Sequence, residues 1–278
     1  MLHSNKLLII ITITLLGACI GSFLNVVIYR LPEILCTTWK QQCQKILQQK
    51  LPTQEKVINL VMPRSYCAHC QHKISWQHNI PLLSFLLLRA RCAYCQKRIS
   101  TQYFIVELSC SILSVFLTFR YNISWQLLGA LLFTWSLIPL IAIDFKKQLL
   151  PDEITLPLLW LGLIFNIFHT FTCLRNAVIG AIAGYSVLWT VTYLYKLLTK
   201  KTAMGHGDFK LLATIGAWLG WQLLPIIVLI AATLGAVCGT LWLHLKQQKL
   251  NTAIAFGPYL AIAAWFVLVF NKDFLIVI

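Results

Sequence analysis

The sequence predicts an all-α polytopic integral membrane protein of about eight transmembrane helices with one small cytosolic zinc-ribbon-like insert. Three observations lead there. The chain of 278 residues is 59% hydrophobic and only 11% charged, where soluble domains run at roughly 45 to 50% and about 25%. Apolar stretches of bilayer-crossing length recur along it. Its surplus of cations, a formal net charge of +15, collects on alternate connections. Intrinsic disorder and a small disulfide scaffold are excluded, and an ordinary soluble enzyme is disfavoured. Nucleic-acid binding, which a basic chain usually invites, is set aside because topology accounts for the charge.

The expected spans are 7–29, 102–119, 124–143, 154–173 and 177–198, then a run over 211–243, and last 253–270. A single helix over 211–243 would be roughly 50 Å long, against a hydrocarbon core of about 30 Å. Gly216, Gly220 and Pro225 offer a turn that splits it in two. Of the 23 Lys and Arg residues, 19 fall on one side of the resulting topology and only Lys6, Arg120, Arg175 and Lys272 on the other. The basic side is therefore expected to be cytoplasmic, with both termini facing out. The same cations suit anionic lipid headgroups. Leu16-Gly17-Ala18-Cys19 resembles a lipoprotein cleavage site, but the apolar run continues to Tyr29, so a retained anchor is expected.

Residues 31–101 form the one sizeable soluble insert. Within it Cys67-Ala-His-Cys70 and Cys92-Ala-Tyr-Cys95 are separated by 21 residues. Each pair lets two thiolates converge on one ion, and two pairs complete the tetrahedral sulfur shell of a closed structural zinc site. A reducing cytosol disfavours disulfides there. A redox CxxC and unligated core thiols are the alternatives, and a rubredoxin-like iron site would use similar spacing. His69, His72 and His78 read as surface residues, since four cysteines already fill the shell. Between the pairs, residues 80–88 are apolar but too short to cross, which suggests a strand-rich element or an interfacial segment.

The few carboxylates can be taken singly. Asp152 and Glu153 follow Pro151 at the start of a span, where helix capping is the default reading. Glu107 falls inside an apolar span, where an ionisable residue is costly, and structural and catalytic roles stand level. Asp144 ends the third span and Asp208 begins the sixth, both at the expected cytoplasmic edge. Two carboxylates brought together can share a proton, one activating water while the other polarises a peptide carbonyl. Asp208 lies in Gly205-His206-Gly207-Asp208-Phe209-Lys210, whose glycines permit unusual dihedrals and close approach of an extended backbone. On spacing alone, two aspartates at helix ends are more often caps than catalysts. If they do act together, helix dipoles favour charge on Asp208 and oppose it on Asp144.

These residues together resemble the type IV prepilin peptidase family, the leader peptidases with a GxGD aspartyl site. The resemblance runs through Gly21-Ser22-Phe23-Leu24-Asn25 to Tyr29-Arg30-Leu31-Pro32, the two CxxC pairs, and Asn79-Ile80-Pro81-Leu82-Leu83-Ser84. It continues through Asp144, Leu149-Leu150-Pro151-Asp152, Gly207-Asp208-Phe209-Lys210 and Phe256-Gly257-Pro258-Tyr259-Leu260. It implies that Asp144 and Asp208 are the catalytic pair and that Cys67, Cys70, Cys92 and Cys95 form the cysteine motif; Asp152, only eight residues beyond Asp144, is the runner-up for the first carboxylate. It implies a first transmembrane helix over 1–30, a cytosolic insert over 31–101 and a polytopic peptidase domain over 102–278. The implied reaction is removal of the leader of type IV prepilins and type II secretion pseudopilins, after a glycine, on the cytoplasmic side of a bacterial inner membrane. N-methylation of the new N-terminal residue follows, with S-adenosylmethionine as donor. No GxGxxG loop marks where that donor binds. The competing expectation is a non-enzymatic membrane scaffold or a transporter with a metal-stapled insert; a transporter should carry its polar residues near mid-membrane.

Overall fold

A bilayer core offers no water to an open backbone, so apolar stretches this long are driven to satisfy their amides internally, as helices. The computed structural model describes residues 2–47, 59–62, 65–67, 69–75, 80–200, 204–246 and 255–274. Nine helices occur among them: α1 (Leu2–Ile46), α2 (Leu83–Leu87), α3 (Thr101–Tyr121), α4 (Trp125–Lys147), α5 (Asp152–Ile167), α6 (Leu174–Thr199), α7 (His206–Leu219), α8 (Leu224–Lys246) and α9 (Gly257–Phe274). All but α2 coincide with the expected spans. Five are long and apolar enough to cross a membrane: Leu7–Ile46, Thr101–Tyr121, Trp125–Lys147, Leu174–Thr199 and Leu224–Leu241. The others fall short of that length, α5 with 16 residues, α7 with 14 and the apolar part of α9 over Gly257–Phe270.

The long run over 211–243 breaks where its glycines suggest. Gly220 takes φ 84°, open to glycine at little cost, and its N–H closes α7 on the Gly216 carbonyl at 2.9 Å. Two other expectations change. Helix α1 does not stop at Arg30 but continues through Pro32 to Ile46, about 67 Å at ~1.5 Å per residue. Arg30 is almost fully buried and donates to the carbonyls of Asn59 and Leu60 at 3.0 and 3.2 Å, so its charge pins returning chain instead of ending the helix. The segment over 80–88 holds the short helix α2, not a strand.

The chain divides into two compact units, Met1–Phe119 and Arg120–Ile278. In the first, α1 meets α3 through Gly17 and Gly21, one turn apart on one face. A Cβ on Gly17 would lie 2.9 Å from the Ser111 Cα, and one on Gly21 would lie 2.7 Å from the Glu107 Cα. This is the small-residue packing that lets helix backbones approach without bulky side chains between them.

The second unit is arranged around α7, in which Phe209 and every residue from Leu211 to Leu219 are buried. Helices α5, α6, α8 and α9 pack on it. Gly180 and Gly184 of α6 repeat the four-residue spacing of Gly17 and Gly21, and both lie backbone to backbone on α7, opposite Gly216 and Leu212. Trp218 sits among Phe133, Phe165 and Phe171 with ring centroids 5.0, 5.5 and 5.6 Å away, and its indole N–H donates to the Leu158 carbonyl at 2.8 Å. Apolar side chains such as Trp160, Leu194 and Leu229 face outward, as a lipid solvent demands.

Polar contacts define the two ends of this unit. At one end Gln126 donates to the Thr170 carbonyl at 2.9 Å, and Tyr121 donates through its hydroxyl to Leu268 at 2.7 Å. Asn166, fully buried, uses its whole amide there. Its NH2 donates to the carbonyls of Ala217 and Trp218 at 2.8 and 2.9 Å, and its oxygen accepts from the N–H groups of Phe171 and Thr172 at 3.1 Å each. The opposite end gathers the end of α4 and the starts of α5, α7 and α9, so helices run alternately up and down.

Asn166→Ala takes a partner from four backbone groups, of which the two carbonyls of buried Ala217 and Trp218 cost about 1 to 3 kcal/mol each, so stability should fall by on the order of 3 kcal/mol. Asn166→Asp should be worse, because it turns a carboxylate onto two carbonyls. Thermal unfolding in detergent orders the three proteins; a midpoint for either variant equal to wild type would contradict the role assigned to this amide.

Candidate active site

Helix α4 carries Asp144 in its last turn, and α7 carries Asp208 in its first. Asp144 is buried and Asp208 partly exposed. The structure brings the two together: the charge of Asp144 acts directly on Asp208. Like charges confined in this way favour a shared proton.

Asp144 is held from two directions. The Gln148 N–H donates to its backbone carbonyl at 2.9 Å, closing α4 with Gln148 in the left-handed region at φ 50°. The Gly257 N–H, first in α9, donates to its carboxyl. A Cβ on Gly257 would lie 2.6 Å from the Asp144 Oδ2, so only a glycine lets the start of α9 come this close. This alters the expected electrostatics. Asp144 ends one helix but faces the N-terminus of another, so helix dipoles favour negative charge on both carboxylates and do not separate them.

The glycines of the Gly205–Asp208 segment act differently from expectation. Gly205 is the N-cap of α7 at φ −78° and ψ 151°, an ordinary extended conformation, and a Cβ there would meet nothing within 4 Å. Gly207 is the sterically constrained one, since its Cβ would lie 2.9 Å from the Leu150 Cβ. His206 is exposed, its ring edge-on to Phe209 with centroids 5.3 Å apart. Asp152 does not cap α5. Pro151 is the N-cap of α5 and makes no side-chain cap bond, while the Asp152 carboxylate pairs with the Lys210 ammonium at 2.6 Å, tying α5 to α7.

Gly257 and Leu150 lie in the runs quoted above, but neither was expected at the site. The available signal was Gly257-Pro258 opening an apolar run, the composition of a helix N-terminus. Its proximity to Asp144 is not readable from sequence, because 112 residues separate the two.

Glu107 belongs to the first unit and is buried. Its carboxylate accepts from the Leu82 N–H at 2.8 Å and from the Ser22 hydroxyl, so it ties the entry of α2 to α1 and α3. Leu82 takes φ 61° and ψ −49°, the centre of a γ-turn closed by the Leu83 N–H on the Pro81 carbonyl at 2.6 Å, a strained conformation that a leucine rarely adopts and that the bond to Glu107 helps to hold.

The four cysteines of the insert converge. The Sγ atoms of Cys67, Cys70, Cys92 and Cys95 all lie within 4.8 Å of one another, and Cys67 and Cys95 are 3.8 Å apart. A tetrahedron of sulfurs at about 2.3 Å from one metal ion has edges of about 3.8 Å, so the set fits. Each pair sits in the same turn. The Cys67 N–H donates to His72 and Gln71 to Cys67, while Cys92 donates to Lys97 and Gln96 to Cys92, with both glutamines at φ 56°. Isolated antiparallel bridges, Tyr66 with Lys73 and Arg91 with Arg98, close the two knuckles, and the His72 and Tyr94 rings join them with centroids 3.8 Å apart. The backbone N–H of Cys70 helps hold the Cys67 thiol down at about 7, toward the thiolate a metal requires.

Comparison with known proteins adds the following. Residues 15–121 match the bacterial peptidase A24 N-terminal domain, and residues 131–240 match the type IV leader peptidase family. A prepilin leader peptidase/N-methyltransferase of Stutzerimonas stutzeri is 46% identical over 272 residues, covering 98% of this chain and 94% of the relative. Proteins with the same description are 44% identical in Pseudomonas aeruginosa, with the same coverage, and 48% identical in Aeromonas hydrophila, over 93% of this chain and 90% of the relative. No solved structure matches the chain.

The purified protein is expected to carry one thiophilic metal ion per chain by elemental mass spectrometry, and a Cys67→Ser/Cys95→Ser variant none. Metal-free wild type, prepared without chelator, would refute the site.

Proposed function

From the chain's membership of the type IV leader peptidase family, we infer that it is a membrane aspartyl endopeptidase that removes the leader peptide of type IV prepilins and pseudopilins and then N-methylates the new N-terminal residue. The observation that supports the chemistry best is the neighbouring pair Asp144 and Asp208, at the end of the bundle where α7 and α9 begin. One carboxylate takes a proton from water as that water attacks the scissile carbonyl, and the other, protonated, donates to the carbonyl oxygen. The pair titrates jointly, and both members face helix N-termini, so neither is assigned as the sole base.

Several features support a cytoplasmic site. Lys146 and Lys147 close α4, Lys196 closes α6 and Lys210 pairs with Asp152, so cations gather at the end that holds the carboxylates. A prepilin presents an apolar helix in the membrane and a short basic leader outside it, so a site at the membrane edge meets the junction between them. Its scissile peptide must be extended to accept attack, which agrees with a pair lying at helix ends and not at mid-membrane.

The insert over 31–101 carries the thiolate cluster, for which zinc is the metal best matched to four sulfurs and a closed shell, and it would there stiffen a segment with little core of its own. S-adenosylmethionine supplies the methyl group of the second reaction. Residues 102–278 form the peptidase part, and the outward apolar side chains take lipid as their partner.

Purified wild type, Asp144→Asn and Asp208→Asn, incubated with a model prepilin with and without S-adenosylmethionine, test the reading by product mass. Wild type should remove the leader and add the mass of one methyl group; each mutant should cleave slower by about 10³-fold or more while remaining folded. Cleavage by both mutants at the wild-type rate would overturn the aspartyl mechanism, and none by wild type would favour the scaffold. Gly207→Ala should slow cleavage by about 10²-fold, because a methyl group driven against Leu150 shifts Asp208; wild-type turnover would disprove that.

A further inference from the structure

Two backbone positions lie beside the carboxyl pair, Gly207 immediately before Asp208 and Gly257 donating to Asp144. One side chain touches both. A Cβ on Gly207 would lie 2.9 Å from the Leu150 Cβ and 3.2 Å from its Cδ1, and a Cβ on Gly257 would lie 3.1 Å from the same Cδ1. Leu150 is buried, 9% exposed, and it belongs to neither helix. It sits in the exit from α4, between the left-handed turn at Gln148 and the start of α5.

That exit is fixed on both sides of Leu150. Upstream, the turn closes on the carbonyl of Asp144 itself, through the Gln148 N–H at 2.9 Å. Downstream, the Pro151 carbonyl accepts from Ile154 and Thr155 at 3.2 and 3.1 Å, and Asp152 is tied to Lys210 of α7 at 2.6 Å. The side chain therefore has little freedom to withdraw, and the first turns of α7 and α9 both close onto it, meeting at its Cδ1. A glycine at each point of closure lets both backbones come to van der Waals contact.

We propose that Leu150 is a positioning residue for the peptidase reaction, an apolar spacer wedged between the first turns of α7 and α9 that sets the separation and relative orientation of Asp144 and Asp208. It touches neither substrate nor water in this role and acts through the backbone under each carboxyl. A branched aliphatic side chain suits the task, because it has few rotamers and packs at the density of a protein interior. Emptying its volume lets the two helix starts relax toward one another, and a misplacement of about 1 Å between reacting groups can cost about 10²-fold in rate.

The inference rests on the proposed peptidase activity, so the experiment measures wild-type cleavage beside the variants; failure of wild type to cleave would strike at that activity and not at the spacer. Full-length Leu150→Ala and Leu150→Met are compared in detergent for prepilin cleavage and, separately, for methyl transfer to a pre-cleaved pilin. Leu150→Ala should lower kcat by about 10- to 100-fold with KM within about two-fold, and leave methyl transfer at the wild-type rate. Leu150→Met, of nearly equal volume, should recover most of the cleavage. Wild-type kcat in Leu150→Ala would overturn the proposal. So would parallel loss of cleavage and methyl transfer with Leu150→Met equally inactive, which would mark a general packing role.

Discussion

From Leu211 to Leu219 helix α7 is buried on every side, and the placement of much else in the second unit depends on that. A helix so enclosed has no room for large side chains at its closest neighbour, which is why Gly180 and Gly184 of α6 face Gly216 and Leu212 across bare backbone. Its polar groups must also find partners within the protein. Thr214 donates to the Thr155 carbonyl at 3.1 Å, Trp218 to Leu158 at 2.8 Å, and Asn166 takes the carbonyls at the far end. Each bond ties α7 to α5 at a different level, so α7 can neither slide nor rotate without breaking several at once. Asp208, in its first turn, inherits that rigidity.

The site combines this fixed helix with two closely approaching chain segments. Helix α9 offers Gly257 to Asp144, and the α4 exit offers Leu150 to both glycines. Close packing of Gly257 and Leu150 contributes to this geometry, and the ion pair of Asp152 with Lys210, partly exposed, joins the ends of α5 and α7. Apolar packing is a suitable way to space two neighbouring carboxyl groups, because an apolar side chain brings no competing donor or acceptor. The same end of the bundle gathers helix N-termini, whose free N–H groups favour negative charge on the two carboxyl groups.

The insert solves a different problem. A segment of this size has little room for a core of its own, and the four cysteines on two matched knuckles converge there in a cluster that could hold a metal ion. Arg30 and Glu107 then attach the surrounding chain to the first unit's helices through backbone carbonyls and an N–H.

Much of this was legible in the sequence. Apolar runs located eight of the nine helices among the described residues, Gly220 marked the break between α7 and α8, and the cysteine spacing announced the cluster. Those signals are local, set by hydropathy over a helix length or by chelation within one turn, so one stretch of chain suffices to read them. Where a local rule met a distant partner it failed: Arg30 was expected to close α1 and is instead buried within it, donating to carbonyls 29 and 30 residues on. Asp152 was expected to cap α5 and pairs with Lys210, and the dipole contrast between Asp144 and Asp208 disappears because α9 begins on Asp144. The sequence by itself determined which segments are helices and which residue types could do chemistry. Only the tertiary structure decided which of them meet, because proximity between Leu150, Gly207 and Gly257 is a property of packed helix ends and leaves no periodicity in the chain.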